Sequence, residues 1–577
     1  MKKTIKSITH LIKLYLNNFN LIKLKINKHY SQDLSDKLKK IITQKNIKKT
    51  KNLQNYKSKI LFIPGFCHAE SHAVFASLIC ILLSLKNTII KPLIMNDFFT
   101  GESHINGGNY GGIITNSFRL NQRKIETQLW KNLCKFDLVI LLKFFRPWDY
   151  FIARKITKNL TINNFNEITF KNYRVGHRAV AAVKHLSRAA DIKQENNYSK
   201  SLKFHAINIV KEYICIERML KKEKPSTIVS YSADTHYHWE IIKHLAKKNN
   251  IPYYVYGFGE KKGSIFLGDD SKYTLDGRES FLEFYKKQSF LKAQKEIDTI
   301  MALRINGKFS GFYNREYNSN YKQKINEIKN WANSRKIFLY AGNDLTDDHV
   351  LNDCPAFPNL YEMLLKTIEF FNKNPQICLI IKAHPAEREY YESKNPEWIK
   401  ACLKEVLNFS NIKLNENIKF IDYDTDIHAV NLIEIVDCGL IASSTLALDL
   451  LYMKKPVINT YESHYTDLGF TYDVKSQKEY FDYILKISKS DCLLNEDEYK
   501  KAIIYLFYYY NFLQISSSLF ESAPVNTGEI MKPKLNIDNI DALIEHKNKL
   551  LDYAITSIVN NEIIFAKNRF NKQNFNE

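Results

Sequence analysis

ICLIIKAHPAE (Ile377–Glu387) and CGLIASSTLALDLLYMKKPVINT (Cys438–Thr460) are the two stretches around which this chain is organised. Each opens with a short, β-branched apolar run that stops abruptly at small or polar side chains. That pattern belongs to a buried parallel strand delivering a loop at its carboxyl end. Open α/β sheets bind ligands at such ends, where the strand order reverses.

Outward from this pair lie further strand signals at IFLYA (Ile337–Ala341), IKFID (Ile418–Asp422) and PVINT (Pro456–Thr460). Helices are expected over about 360–372, 396–408 and 427–436, and from Ser444 onward. Five strands alternating with helices make a Rossmann-like domain with right-handed crossovers. In the order 3-2-1-4-5, strands two and four flank strand one. The loops carrying His384, Ser443/Ser444 and Gly342-Asn343-Asp344 then meet at the switch point.

The preceding half repeats the rhythm. Strands are expected at KILFIPGF (59–66), TIIKPLIM (88–95), DLVILLKF (137–144), STIVSYS (226–232) and PYYVYGFG (252–259), with helices over 73–86 and 237–248 and helical periodicity from 175 to 220. The expected division is an N-terminal segment 1–58, a Rossmann-like domain 59–315, a second one 316–500, and C-terminal helices 501–577 packing back. The aromatic run YLFYYYNFL (505–513) is expected in the core between the two.

The formal charge of +23, from 84 basic and 61 acidic residues, favours anionic partners: a phosphorylated substrate, acidic lipid or nucleic acid. Residues 1–58 are lysine-rich with apolar residues at helical spacing, which suits an anionic inner leaflet as well as an ordinary surface helix. No zinc module, RNP aromatic pattern or helix-turn-helix supports nucleic-acid binding. Nine scattered cysteines without a CxxC pair, and the lack of a long apolar span, lead to the expectation of a cytoplasmic protein seated at most peripherally on the membrane's inner face.

Three features converge on a nucleotide phosphate. Ser443-Ser444-Thr445 sits where a strand turns into a helix, with unpaired N–H groups beside hydroxyls. His384-Pro385 ends another strand, and the proline holds the imidazole at the sheet edge, able to donate to a phosphate oxygen. Asp449 lies five residues beyond Ser444, where a carboxylate suits both hydroxyls of a ribose. A serine pair at a strand end often serves only as a helix cap, and His-Pro often only as a turn. Both together in one Rossmann domain favour the site.

KAHP (Lys382–Pro385) and SST-x3-D with KKPV (Ser443–Asp449, Lys454–Val457) resemble the His-Pro and Ser-Ser signatures of bacterial capsule polysaccharide biosynthesis glycosyltransferases, which are CMP-sugar dependent and Kdo-transferase-like, with sialyltransferases more distant. GFGEKKG (257–263) and YTLDG (273–277) are similar to that family's glutamate-glycine loop and the segment after it, without the Arg-Pro that often follows. The resemblance implies the GT-B fold, with two Rossmann-like domains facing across a cleft. It implies His384, Ser443 and Ser444 at the donor phosphate and Asp449, where glutamate is commoner, at the ribose. Lys382, Pro385, Thr445 and the loop Gly342-Asn343-Asp344 complete the expected donor site.

The implied reaction moves an acidic sugar from a CMP-activated donor to a lipid-linked or glycan hydroxyl, with no metal and no other cofactor, alongside capsule assembly proteins. An inverting transfer needs a base. Glu260 is the first candidate, because it follows a strand end in the first domain and faces the second; Asp234 is the next, and Glu70 the third. The nearest acidic pair suited to a metal, Asp347-Asp348, reads better as a helix cap or solvated turn. A CDP-glycerol or CDP-ribitol phosphotransferase shares the His-Pro and Ser-Ser pattern, and a non-catalytic basic nucleic-acid-binding protein is the alternative outside enzymes.

Overall fold

The computed structural model describes residues 58–65, 70–95, 126–134, 136–186, 189–194, 197–231, 237–261, 264–268, 278–305, 321–341, 345, 356–385, 387–392, 394, 396–425, 427–490, 494–516, 520–521, 534–535 and 549–562. The N-terminal segment to residue 57, the 107–112 glycine loop and Asp347-Asp348 lie outside them.

The first sheet takes strands β1 (Ser58–Ile63), β2 (Thr88–Ile94), β3 (Val139–Ile140), β4 (Thr227–Tyr231), β5 (Tyr253–Phe258) and β6 (Ser264–Gly268). A strand from near the chain's end, β13 (Gln514–Ser516), completes it in the order β13-β6-β5-β4-β1-β2-β3. β1 to β5 are parallel, while β6 and β13 run antiparallel on one edge. Helices α1 (Glu70–Ser84), α2 (Pro147–Ile156), α3 (Val175–Leu186), α4 (Tyr198–Glu223) and α5 (Tyr237–Lys248) belong to this unit. The expected strand over 137–144 is cut to two residues. It is an edge strand whose one neighbour among the described residues, β2, ends at Ile94 opposite Ile140, and the backbone then tightens into a 3-10 turn at Leu141–Phe144.

Three helices lead to the second unit: α6 (Arg278–Lys287), α7 (Phe290–Ile305) and α8 (Tyr321–Ala332). Its sheet holds β7 (Ile337–Ala341), β8 (Cys378–Lys382), β9 (Ile418–Ile421), β10 (Cys438–Ile441), β11 (Val457–Asn459) and β12 (Tyr472–Asp473), in the order β12-β11-β10-β7-β8-β9 and parallel throughout. Counted within the unit, the first five strands run 3-2-1-4-5, as expected. The first sheet has the same five-strand core, so the molecule is an α/β protein of two Rossmann-like units.

The central strands are apolar on both faces because helices cover both sides. Along β7, Ile337, Leu339 and Ala341 enter one core and Phe338 and Tyr340 the other. The first of these cores runs on through the junction into the first unit. The covering helices are α9 (Leu360–Lys373), α10 (Glu387–Glu392), α11 (Pro396–Ile399), α12 (Leu403–Ser410), α13 (Ala429–Leu432), α14 (Leu446–Tyr452) and α15 (Gln477–Ser488). The single helix expected over 396–408 is broken at Cys402, whose backbone is extended, and that expected over 427–436 is one turn long.

The tail is more than helices. The second half of α16 (Glu496–Tyr508) and most of the turn Tyr509–Leu513 are buried, as expected of the aromatic run, and α16 packs against α6, α7 and α14 before β13 joins the first sheet. Phe281 and Phe284 of α6 stack edge-on or tilted against Tyr505 and Tyr508. A short pair, β14 (Phe520–Glu521) and β15 (Lys534–Leu535), and helix α17 (Lys549–Asn560) follow. α17 lies against α1. The two units also touch directly: Ala190 belongs to the second unit's core, and Gln194 Nε2 donates to the Lys400 carbonyl at 3.4 Å.

Candidate functional site

The carboxyl edge of the second sheet sets the geometry. Ala341 of β7 pairs with Lys382 of β8, and Tyr340 pairs with both Ile381 of β8 and Leu440 of β10. His384 and Ser443 each lie two residues past the ends of strands flanking β7. At the usual strand spacing their backbones are about 10 Å apart across the end of β7. The sequence expectation that both motifs meet at one switch point is met for these two residues.

His384 is half-buried and Pro385 exposed. The His384 N–H donates to Glu387 Oε1 at 3.3 Å, and Glu387 Oε2 accepts the Leu403 N–H at 3.0 Å. One buried carboxylate thus ties the His-Pro turn to the start of α12 and explains why the helix restarts there. Lys382 is buried, and its ammonium donates to the Asp422 carbonyl at 2.6 Å, fastening the neighbouring β9 loop.

Ser443 adopts φ +58°, a left-handed conformation that costs a non-glycine residue roughly 1–2 kcal/mol. Such strain marks a turn held by its surroundings. The hold is visible at Ser444, whose carbonyl accepts the Tyr465 hydroxyl at 3.0 Å and whose Oγ accepts the Leu446 N–H at 3.3 Å. Next to Tyr465, His464 is stacked on Tyr509 with centroids 4.4 Å apart. The Tyr505 hydroxyl lies 2.9 Å from the His464 carbonyl and 2.6 Å from His464 Nδ1, fastening this histidine by backbone and ring. Ser443, Ser444 and Thr445 are all half-buried. Because α14 begins only at Leu446 and runs seven residues, hydroxyls and turn N–H groups dominate over any helix dipole here.

Two expected site carboxylates, Asp449 and Glu260, meet at one arginine. Asp449, expected at a ribose, is 2% exposed and bonded through both oxygens to Arg304 of α7, at 2.5 Å from Nε and 2.8 Å from Nη2. Glu260, expected as the base, accepts the Tyr509 hydroxyl at 2.8 Å and faces Arg304 Nη1 at 3.9 Å. Burial is the largest single influence and lowers the arginine's pKa, but the charge and hydrogen bonds of Asp449 together with Tyr510 and Glu260 outweigh it, and the guanidinium is held well above its ordinary value. Burial, reinforced by Glu260, pushes the Tyr509 hydroxyl far up, so it stays a proton donor. Glu260 follows the end of β5 and Asp449 lies early in the helix after β10. Their link through Arg304 shows that the carboxyl edges of the two sheets turn toward one junction. Both carboxylates compensate one half-buried cation.

Arg304, Glu387 and Tyr465 were not identified from sequence. Arg304 stands 145 positions from its partner, with no local signal to connect them. Glu387, three residues after His384, had one in its cap-like spacing. Asp234 and Gly342-Asn343-Asp344 lie outside the described residues, as does the Glu70 side chain. Among the described residues no group of three His, Cys, Asp or Glu side chains converges as a metal site.

Residues 284–504 match the family described as capsule polysaccharide biosynthesis protein. The match covers 221 of the chain's 577 residues. The matched segment opens in α6 and contains Arg304, His384, the Ser443–Thr445 turn and Asp449. Among solved structures the chain is similar to the KpsC beta Kdo 2,4 transferase of Thermosulfurimonas dismutans, at 14% identity over 56% of this chain and 87% of that one, with a TM-score of 0.29. The beta Kdo 2,7 transferase of the same KpsC gives 12% identity over 61% and 95%, with a TM-score of 0.25. The UDP-GlcNAc 2-epimerase of Neisseria meningitidis gives 12% over 78% and 100%, with a TM-score of 0.23. At superpositions this loose, the two-unit architecture rests on the strand order itself. No curated protein matches the chain.

Proposed function

We propose that this protein is a glycosyltransferase of capsule or surface polysaccharide synthesis, moving Kdo or a related acidic sugar from a CMP-activated donor to a lipid-linked or glycan hydroxyl. The observation that carries this reading is the placement of His384 and the Ser443–Thr445 turn on either side of β7, inside the matched segment.

In this reading the donor phosphate lies across the end of β7. The His384 imidazole donates to a phosphate oxygen from one side, and the Ser443 and Ser444 hydroxyls from the other. As the bond between sugar and phosphate breaks, negative charge grows on the departing CMP, and fixed donors stabilise it without reorganising. Asp449 and Glu260 hold Arg304 at the junction. The base that takes the acceptor hydroxyl proton is then Asp234, three residues past the end of β4.

The test incubates purified protein separately with CMP-Kdo, CMP-sialic acid and CDP-glycerol and follows release of CMP. Release from a CMP-sugar, lost in Asp234→Asn with CMP affinity retained, supports both the donor class and the base. Turnover of CDP-glycerol alone would replace the reading with phosphotransfer, and salt-dependent DNA binding without CMP binding would remove it from the enzymes.

A further inference from the structure

The helix α2 carries an uncovered apolar stripe on the first unit. Trp148 is 63% exposed, Phe151 49% and Ile152 40%, and their i, i+3, i+4 spacing places them on one face. The opposite face of α2 packs on α4, with Asp149 and Ala153 fully buried.

The charges around the stripe are of one sign. Lys143, Arg146, Arg154, Lys155 and Lys158 are all exposed. Asp149 is the only acid between residues 138 and 166, and it is hidden. Its carboxylate accepts both arms of the Arg218 guanidinium, at 2.5 and 2.7 Å, and the Arg146 N–H at 2.8 Å. The exposed surface of α2 is therefore cationic without internal compensation.

We propose that α2 is a membrane-docking helix that seats the first unit on an anionic lipid surface. Trp148, Phe151 and Ile152 enter the headgroup–acyl boundary, while the five flanking cations meet lipid phosphates. A convex helix edge with tryptophan in an apolar stripe and long cations alongside is the arrangement of an interfacial helix. A net charge of +23 argues against a second copy of this chain, or its own lysine-rich N-terminal segment, as the occupant. Among the described residues no helix is long and apolar enough to cross a membrane, so docking is on the surface. The inference is independent of the donor chemistry proposed above, since lipid binding is measured without nucleotide.

The experiment uses the full chain and vesicles of phosphatidylcholine with and without phosphatidylglycerol, some of it brominated in the acyl chains near the headgroup. Of the tryptophans, Trp130 and Trp239 are buried, Trp331 and Trp398 are half-buried, and Trp148 is exposed. Bromolipid should quench a fluorescence component that is missing in Trp148→Phe. Trp148→Ser/Phe151→Ser and Arg154→Glu/Lys155→Glu should each weaken binding to anionic vesicles by at least ~10-fold, with an unchanged melting temperature. Vesicle binding without Trp148-dependent quenching would assign the membrane contact to the lysine-rich N-terminal segment and overturn the proposal. Absence of vesicle binding, leaving the stripe to an acidic protein, would overturn it as well, and so would equal binding to neutral vesicles.

Discussion

The two sheets share one five-strand order and end differently. In the first, aromatic side chains pack around the described ends of β1 and β4. Tyr256 reaches across so that its hydroxyl accepts the Gly65 N–H at 3.2 Å, and its ring stacks on Phe62 with centroids 5.0 Å apart. A Cβ at Gly65 would lie 2.9 Å from the Tyr231 ring. In the second, the same edge carries half-buried His384, Ser443, Ser444 and Thr445, with Tyr465 holding the carbonyl of Ser444 next to the strained Ser443 and Glu387 anchoring His384. A shared topology therefore supplies two switch points, and their described side chains differ: aromatic rings at the first, half-buried polar groups at the second.

The strongest challenge to this contrast is at the junction where both edges turn. Arg304→Ala leaves Asp449 buried without its cation and should cost about 3–5 kcal/mol in denaturant unfolding. Arg304→Lys should recover only part of that, because an ammonium lacks the two-pronged fork. A loss below 1 kcal/mol would show that the two units are joined by the apolar core alone.

Next in size come the polar groups of the second edge. His384→Ala, and separately Ser443→Ala with Ser444→Ala, should each lower donor turnover by roughly 10²–10³-fold with the melting temperature nearly unchanged. Full activity in both would dissolve the distinction between the edges. At the first edge, Gly65→Ala should destabilise by about 1–3 kcal/mol through overpacking against Tyr231 while CMP affinity, read by calorimetry, stays the same. The smallest effect is expected for Ser443→Gly. Relief of the left-handed backbone offsets the greater chain freedom of glycine, so stability should stay within about 1 kcal/mol while donor affinity falls with the hydroxyl.

Much of this was legible in the residues. Buried parallel strands write themselves as continuous β-branched runs, so IFLYA, CLIIK and CGLI were placed nearly to the residue, and right-handed crossovers supplied their order. The turns at His384 and Ser443 followed, because proline and small polar residues end such strands. What was not legible was pairing across distance. β6 and β13 are antiparallel partners separated by most of the second unit, and the short β13 lies directly after the aromatic run that was expected to stay helical. The edge strand after Asp137 read as long because its apolar run is long, but a ladder ends where its neighbour ends.

The same division holds for the site. Sequence by itself determined two α/β units, the strand ends that deliver His384 and the Ser443–Thr445 turn, and an overall cationic character, because these are properties of local pattern and composition. Only the tertiary structure decided that Asp449 and Glu260 share Arg304, that Asp149 is neutralised by Arg218, and that Trp148, Phe151 and Ile152 stay uncovered. A carboxylate's role is set by the charge it meets, and an apolar side chain's by whether anything packs over it. Both depend on chain segments brought together only by folding.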